Sequence, residues 1–147
     1  MIIALGSDMD APLVQAAAKA LGERGHEVLP FGPVAAPDAP WPQVAIQAAT
    51  AVAENRADQA ILFCWTGTGI SMAANKVTGV RAALCWDAPT AAGARQWNDA
   101  NALAISLRYT TEAVLLEILD AWFGHSPSNE EADAACIRFL KAYDQGR

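Results

Sequence analysis

The chain has 147 residues, 53% of them hydrophobic, and a formal net charge of −6. That length suits a single domain, 1–147, with a sizeable core. The acidic balance, without any basic run, excludes nucleic acid and anionic membrane as partners. No apolar stretch approaches a membrane span, and the first apolar run carries no charged leader or cleavage site. The three cysteines, Cys64, Cys85 and Cys136, lack metal-ligand spacing, so no metal and a reduced, cytoplasmic setting are expected.

Ile2 to Leu5 reads as a buried strand closed by Gly6-Ser7-Asp8. Asp10 is the expected N-cap of a helix with Pro12 in its first turn. Leu13, Ala17 and Leu21 share a face of that helix, which runs to about Arg24 before Gly25 stops it. Glu27 to Phe31 is a second strand, placed at a sheet edge by Pro30. Gly32 to Pro40 is a proline-rich loop, Trp41 to Ala53 a helix, and Asn55 to Asp58 a connector.

The stretch from Ile61 to Lys76 passes from a short apolar run, through a glycine turn, into helix formers. Cys64 ends that run, at the sheet edge where open α/β proteins place their ligands. Gly67 and Gly69 remove the Cβ atoms that would keep backbone N–H groups from converging on an oxyanion. The positive end of the following helix points the same way. Gly67-Thr68-Gly69 lacks the third glycine of a dinucleotide fingerprint, and no Gly-Lys-Ser/Thr follows, so no nucleotide cofactor is implied.

Ala82 to Trp86 reads as a fourth strand, and Asp87 with Pro89 opens a helix to about Trp97. Asn98 to Asn101 is a turn cluster and Ala102 to Ile105 a fifth strand. Thr110 or Thr111 caps an amphipathic helix carrying Val114, Leu115, Ile118, Leu119 and Trp122. After a break over 124–128, the last helix runs from Asn129 to Tyr143, with Ala132, Ala135, Cys136, Phe139 and Leu140 on one side. Alternating strands and helices imply an α/β fold with a parallel sheet covered on both faces. The amphipathic last helix is short of partners within the chain, so it is expected to dock across a two-fold axis.

The segment Cys64–Lys76 closely resembles the signature of the ribose-5-phosphate isomerase B / galactose-6-phosphate isomerase family. So do Gly6-Ser7-Asp8, the run Arg95-Gln96-Trp97-Asn98-Asp99-Ala100-Asn101, and Arg108. The resemblance implies a Rossmann-like five-stranded sheet, and a homodimer or tetramer joined by a C-terminal helix, with the site at the subunit interface. It implies aldose–ketose isomerisation of a small sugar through a cis-enediolate, without metal or redox cofactor. Carried over by position, Cys64 is the base and Thr66 assists at the oxygens. Gly67, Thr68, Gly69, Ile70 and Ser71 form the anion hole, and Asp8 and Asn98 hold substrate hydroxyls. Some members use a glutamate at the position of Ile70, so this is a cysteine-type site. The chemistry is self-consistent: convergent N–H groups stabilise a developing oxyanion, and a thiol at a helix N-terminus can accept a proton.

Three positions depart from the family pattern. Met9 stands where many members carry a phosphate-holding histidine, and Trp97 where the ring-opening histidine stands. The C-terminal arginine pair has no counterpart in the acidic run from Asn129 to Ala135, and Arg138 is out of register. The expected substrate is therefore open-chain or unphosphorylated: a deoxy-keto-uronate, its carboxylate held by Arg95 or Arg108, or a short tetrulose phosphate; the alternatives are an ordinary ribose-5-phosphate isomerase and a non-catalytic sugar-binding subunit. Trp65 and Trp97 are expected to wall the pocket. Trp86 reads as core or interface packing, Arg95 otherwise as a helix-surface charge, and His26 and His125 as surface residues.

Overall fold

The computed structural model describes residues 1–33 and 39–146, so part of the loop read over 32–40 lies outside the described residues. The elements are β1 (Ile2–Ser7), α1 (Pro12–Glu23), β2 (Glu27–Phe31), α2 (Trp41–Ala53), β3 (Gln59–Cys64), α3 (Thr68–Ala74), β4 (Ala82–Leu84), α4 (Ala88–Asn98), β5 (Ala102–Ser106), α5 (Glu112–Gly124) and α6 (Glu131–Gln145). All strand pairs are parallel, in the order β2-β1-β3-β5-β4. The expected α/β, Rossmann-like sheet is therefore present, and Pro30 does lie on an edge strand. Among the described residues no helix is long and apolar enough to cross a membrane.

Strand periodicity sorts the core into two halves. Ile3, Leu5, Ile61, Phe63, Leu103 and Ile105 face α1, α4 and α5. Ala4, Ala60, Leu62, Cys64, Ala102 and Ala104 face α2 and α3. The second layer is mostly alanine, so α2 lies close on the sheet, and Ala45, Ala48 and Ala49 are fully buried. From β1 the chain builds toward β2, and from β3 toward β5 and β4. The order reverses between β1 and β3, which opens a crevice at their carboxyl ends.

Several boundaries differ from the sequence reading. The N-cap of α1 is Ala11, not Asp10. Pro12 holds the residue before it extended and so fixes the cap there, while Asp10 accepts a hydrogen bond from Gln15 Nε2 at 3.1 Å. β4 ends at Leu84 because the chain turns to let Asp87 cap α4 through Thr90 N, 2.8 Å away. Thr111 is the cap of α5. On α1 it is Val14, Ala17, Ala20 and Leu21 that are buried, with Leu13 half-buried. His26 is half-buried against Phe123 rather than free on the surface.

α6 rests on α4 and buries only Ile137; Phe139, Leu140 and Tyr143 stay exposed. Two polar ties hold it: Asp144 accepts from Gly79 N, and Lys141 Nζ lies 2.6 Å from Asp99 Oδ2. Asp99 closes α4 in the left-handed region, at φ 46°. Its carboxylate also meets Arg81 at 3.1 Å and Arg95 at 3.9 Å. Gly93 stands inside α4, where glycine costs roughly 0.5–1 kcal/mol relative to alanine.

Removing the Asp99 carboxylate strands two largely buried guanidinium groups and unties α6. Asp99→Ala is expected to destabilise the fold by about 3 kcal/mol. Asp99→Asn keeps a residue suited to the left-handed region and should lose less. Chemical denaturation of the three proteins measures both differences.

Candidate functional site

The site is built where the ends of β1, β3 and β5 meet. Ser7, buried at the end of β1, folds its hydroxyl back: Oγ donates to Met9 O at 2.7 Å and accepts from Met9 N at 3.1 Å. This turn holds Asp8 at the mouth of the crevice. Asp8 Oδ1 is buried without a hydrogen-bond partner among the described residues. An acceptor left in that state calls for a donor, such as a ligand hydroxyl.

Cys64 ends β3, buried on the α2–α3 side together with Ile70. The next residues are clipped to the end of β5. Leu107 N donates to Cys64 O and Arg108 N to Trp65 O, both at 3.0 Å. Ser106 Oγ donates to Trp65 O at 2.9 Å and accepts from Tyr109 N at 3.2 Å. The chain then reverses at Gly67, whose φ is 77°. A Cβ there would lie 2.5 Å from Leu84 Cδ1 and 3.0 Å from Ile105 C, so only glycine fits the turn.

α3 begins directly after Gly67, and no side chain caps it. Its first N–H groups, on Thr68, Gly69 and Ile70, have no partner within the helix. Ser71 N differs, because it donates to Gly67 O at 3.2 Å. Ile70 is fully buried and offers only its backbone. The Thr66 and Thr68 hydroxyls lie 2.7 Å apart and bond to each other. Cys64, Thr66 and the glycine turn thus share one small region, as their spacing led us to expect.

Three aromatic rings border the turn and the loops beside it. Trp41, at the first residue of α2, packs its indole against Gly69, where a Cβ would come within 3.2 Å of the ring. Sequence reading took Trp41 only for a helix start, since its neighbour lies 28 residues on. Trp65 is half-exposed and carries the Arg108 guanidinium 5.7 Å from its ring centroid; the same group is 5.3 Å from the Tyr109 ring. Arg108 has no carboxylate partner among the described residues. Met9 and Trp65 also line a cleft of about 340 Å³ with Pro12, Leu107 and Glu112.

Trp97 and Asn98 lie elsewhere in the chain. They line a cavity of about 850 Å³ between β4, α4 and α6, whose walls include none of Asp8, Cys64, Thr66 or Thr68. Arg95 is not the helix-surface charge expected from its position. Its side chain is 11% exposed. The guanidinium lies 5.4 Å from the Trp122 ring centroid, and Nη1 donates to Ala100 O. Burial lowers its pKa, and Asp99 opposes the shift. Asn101 is likewise structural, accepting from Arg81 N at 2.7 Å. Trp86 is 64% exposed at the sheet edge, so it does not pack in the core of this chain. All three cysteines are free. Burial and the neighbouring Asp87 push the Cys85 thiol up to about 12, which leaves it inert. No cluster of metal-binding side chains is present among the described residues.

Burial raises the Asp8 carboxyl above its ordinary value of 3.8, opposed by its own backbone N–H. The folded state therefore holds its proton more tightly than the unfolded state. Stability falls as pH rises from 3.8 through the raised value, and the full penalty is present above it. Asp8→Asn is expected to melt higher than wild type at pH 7, with the advantage vanishing below pH 3.8. If the unpartnered Asp8 oxygen accepts from a ligand hydroxyl, the same variant loses activity by roughly tenfold or more. Melting curves at both pH values, beside a rate assay, measure the two opposed effects.

Comparison with known proteins gives a consistent result. The Ribose/Galactose Isomerase family model matches residues 3–138. Ribose-5-phosphate isomerase B of Escherichia coli is 43% identical over 104 residues, covering 71% of this chain and 70% of that one. D-erythrulose-4-phosphate isomerase 2 of Mycolicibacterium smegmatis is 34% identical over 104 residues, covering 71% and 68%. The solved structure of Clostridium thermocellum ribose-5-phosphate isomerase B superimposes with a TM-score of 0.91, at 34% identity over 99% of each chain. The chain therefore belongs to the ribose/galactose isomerase family and is an aldose–ketose isomerase of the ribose-5-phosphate isomerase B type.

Proposed function

We propose that the substrate is an acyclic four-carbon ketose phosphate, isomerised at a site shared by two copies of the chain. The observation that carries the reaction is the uncapped glycine turn directly after Cys64, at the crevice where the strand order reverses. The Cys64 sulfur takes a proton from C1 of the ketose and returns it to C2. Between these steps the enediolate oxygens face the N–H groups of Thr68, Gly69 and Ile70. Thr66 moves the hydroxyl proton from O1 to O2, which completes the transfer of the carbonyl from C2 to C1. Asp8 accepts from a substrate hydroxyl. Fixed donors of this kind stabilise developing charge without reorganising, and removing one typically costs roughly 10²–10³ in rate.

The substrate assignment rests on Trp97 and Arg108. An indole has no proton to exchange near neutral pH, so nothing at residue 97 opens a sugar ring. A tetrulose 4-phosphate has no free hydroxyl placed to close a stable ring, and so needs no opening. Arg108 offers the phosphate an exposed guanidinium with no ion-pair partner among the described residues. Relatives named as isomerases of sugar phosphates favour this candidate over an unphosphorylated uronate.

Asn98 and Trp97 reach substrate only if a second chain supplies them, since their cavity is separate from the Cys64 region. The exposed Phe139, Leu140 and Tyr143 of α6 support docking of that helix across a two-fold axis.

Proton exchange in heavy water tests the reaction and the substrate together. D-erythrulose 4-phosphate is expected to exchange its C1 proton, ribose 5-phosphate to exchange far more slowly, and Cys64→Ala to lose exchange by at least about 10³. Equal turnover of ribose 5-phosphate would overturn the acyclic assignment. Full activity of Cys64→Ala would overturn the role of the thiol.

A further inference from the structure

A glycine inside a helix needs a reason, and in α4 the reason is visible. The Cε3–Cζ3 edge of the Trp97 six-membered ring packs against Gly93, one turn back along the helix. A Cβ on Gly93 would fall 2.5 Å from Trp97 Cζ3 and 2.7 Å from Cε3, closer than any side chain permits. Helical side chains lean toward the preceding turn, so a tryptophan four residues on finds this notch without strain. That edge of the indole is thereby seated on backbone. The ring as a whole remains 58% exposed and lines the cavity that Asn98 shares.

We infer that Gly93 is a positioning residue for specificity: it seats Trp97 as a fixed aromatic wall that narrows the site to a short, unringed substrate. The inference rests on the reading that Trp97 faces substrate across the subunit interface. In this inference the seated indole offers its exposed part to the C–H side of an extended carbon chain and takes the space that a fifth carbon or a furanose would need. Any side chain at residue 93 lifts the indole off the helix. The wall is then lost even though Trp97 is still present. Thr90 and Pro89 line the same cavity one turn further back, so the lifted ring has no second seat along that face.

A double-mutant cycle of wild type, Gly93→Ala, Trp97→Ala and Gly93→Ala/Trp97→Ala tests this. Gly93→Ala should melt no lower than wild type, since alanine favours the helix, which excludes misfolding as the cause of any loss. Its KM for D-erythrulose 4-phosphate should rise roughly fivefold, the value of one stacking contact, with the larger part of the loss in KM rather than kcat. In the Trp97→Ala background the same change should have no further effect, because Gly93 acts only through the indole. An unchanged KM in Gly93→Ala would overturn the inference, as would an equal loss in both backgrounds. Turnover of ribose 5-phosphate by the wild type would overturn the narrowing role along with the four-carbon assignment, whereas an unaltered KM for the substrate that the wild type does exchange would overturn the seating of Trp97 by Gly93.

Discussion

The candidate site depends on one splice, between the ends of β3 and β5. Two backbone hydrogen bonds and the Ser106 hydroxyl fasten Cys64 and Trp65 to the start of the following loop. Gly67 then turns within contact distance of Ile105 and Leu84, leaving no room for a Cβ. Because the splice fixes the backbone on both sides of the turn, the first N–H groups of α3 emerge in a defined direction. Arg108 is carried along, since the same loop sets it over Trp65. The Ser7 turn places Asp8 by a comparable device on β1. The donors and acceptors that would surround a small polar ligand are therefore held by the sheet itself, not by flexible loops.

A second constraint organises the far side of the chain. Asp99 sits in a left-handed conformation at the end of α4 and gathers Arg81, Arg95 and Lys141. It fixes Asn98 and Trp97 one and two residues away, and anchors α6 across the same corner. One motif in the sequence thus serves two purposes. Asp99 and Asn101 hold the corner together, while Trp97 and Asn98 project into the cavity. In the proposed reading these two assemblies, the glycine turn and the α4 corner, are halves of one site contributed by different chains.

Much of this was legible in the sequence, for identifiable reasons. Alternating apolar strands and capped helices report the sheet directly, whereas a glycine turn is common on its own and gained its weight from Cys64, Thr66 and Thr68 beside it. Boundaries set by local chemistry, such as the Asp87 and Thr111 caps, were also readable. What escaped were contacts between residues distant in the chain. Trp41 on Gly69 and the Ser106 clip carry no local pattern. Arg95 looked like a surface charge because helical periodicity alone did not reveal that α5 brings Trp122 over it. Gly93 drew no notice in the sequence, because the reason for it appears only with its partner ring.

The most direct test mixes two variants that should each be inactive. Cys64→Ala removes the base from one half-site and Asn98→Ala removes a substrate ligand from the other. After subunit exchange, a random mixture of dimers should regain up to about a quarter of wild-type activity, because each hybrid rebuilds one intact site. Hybrids seen by native mass spectrometry without any recovered activity would contradict a site shared between chains.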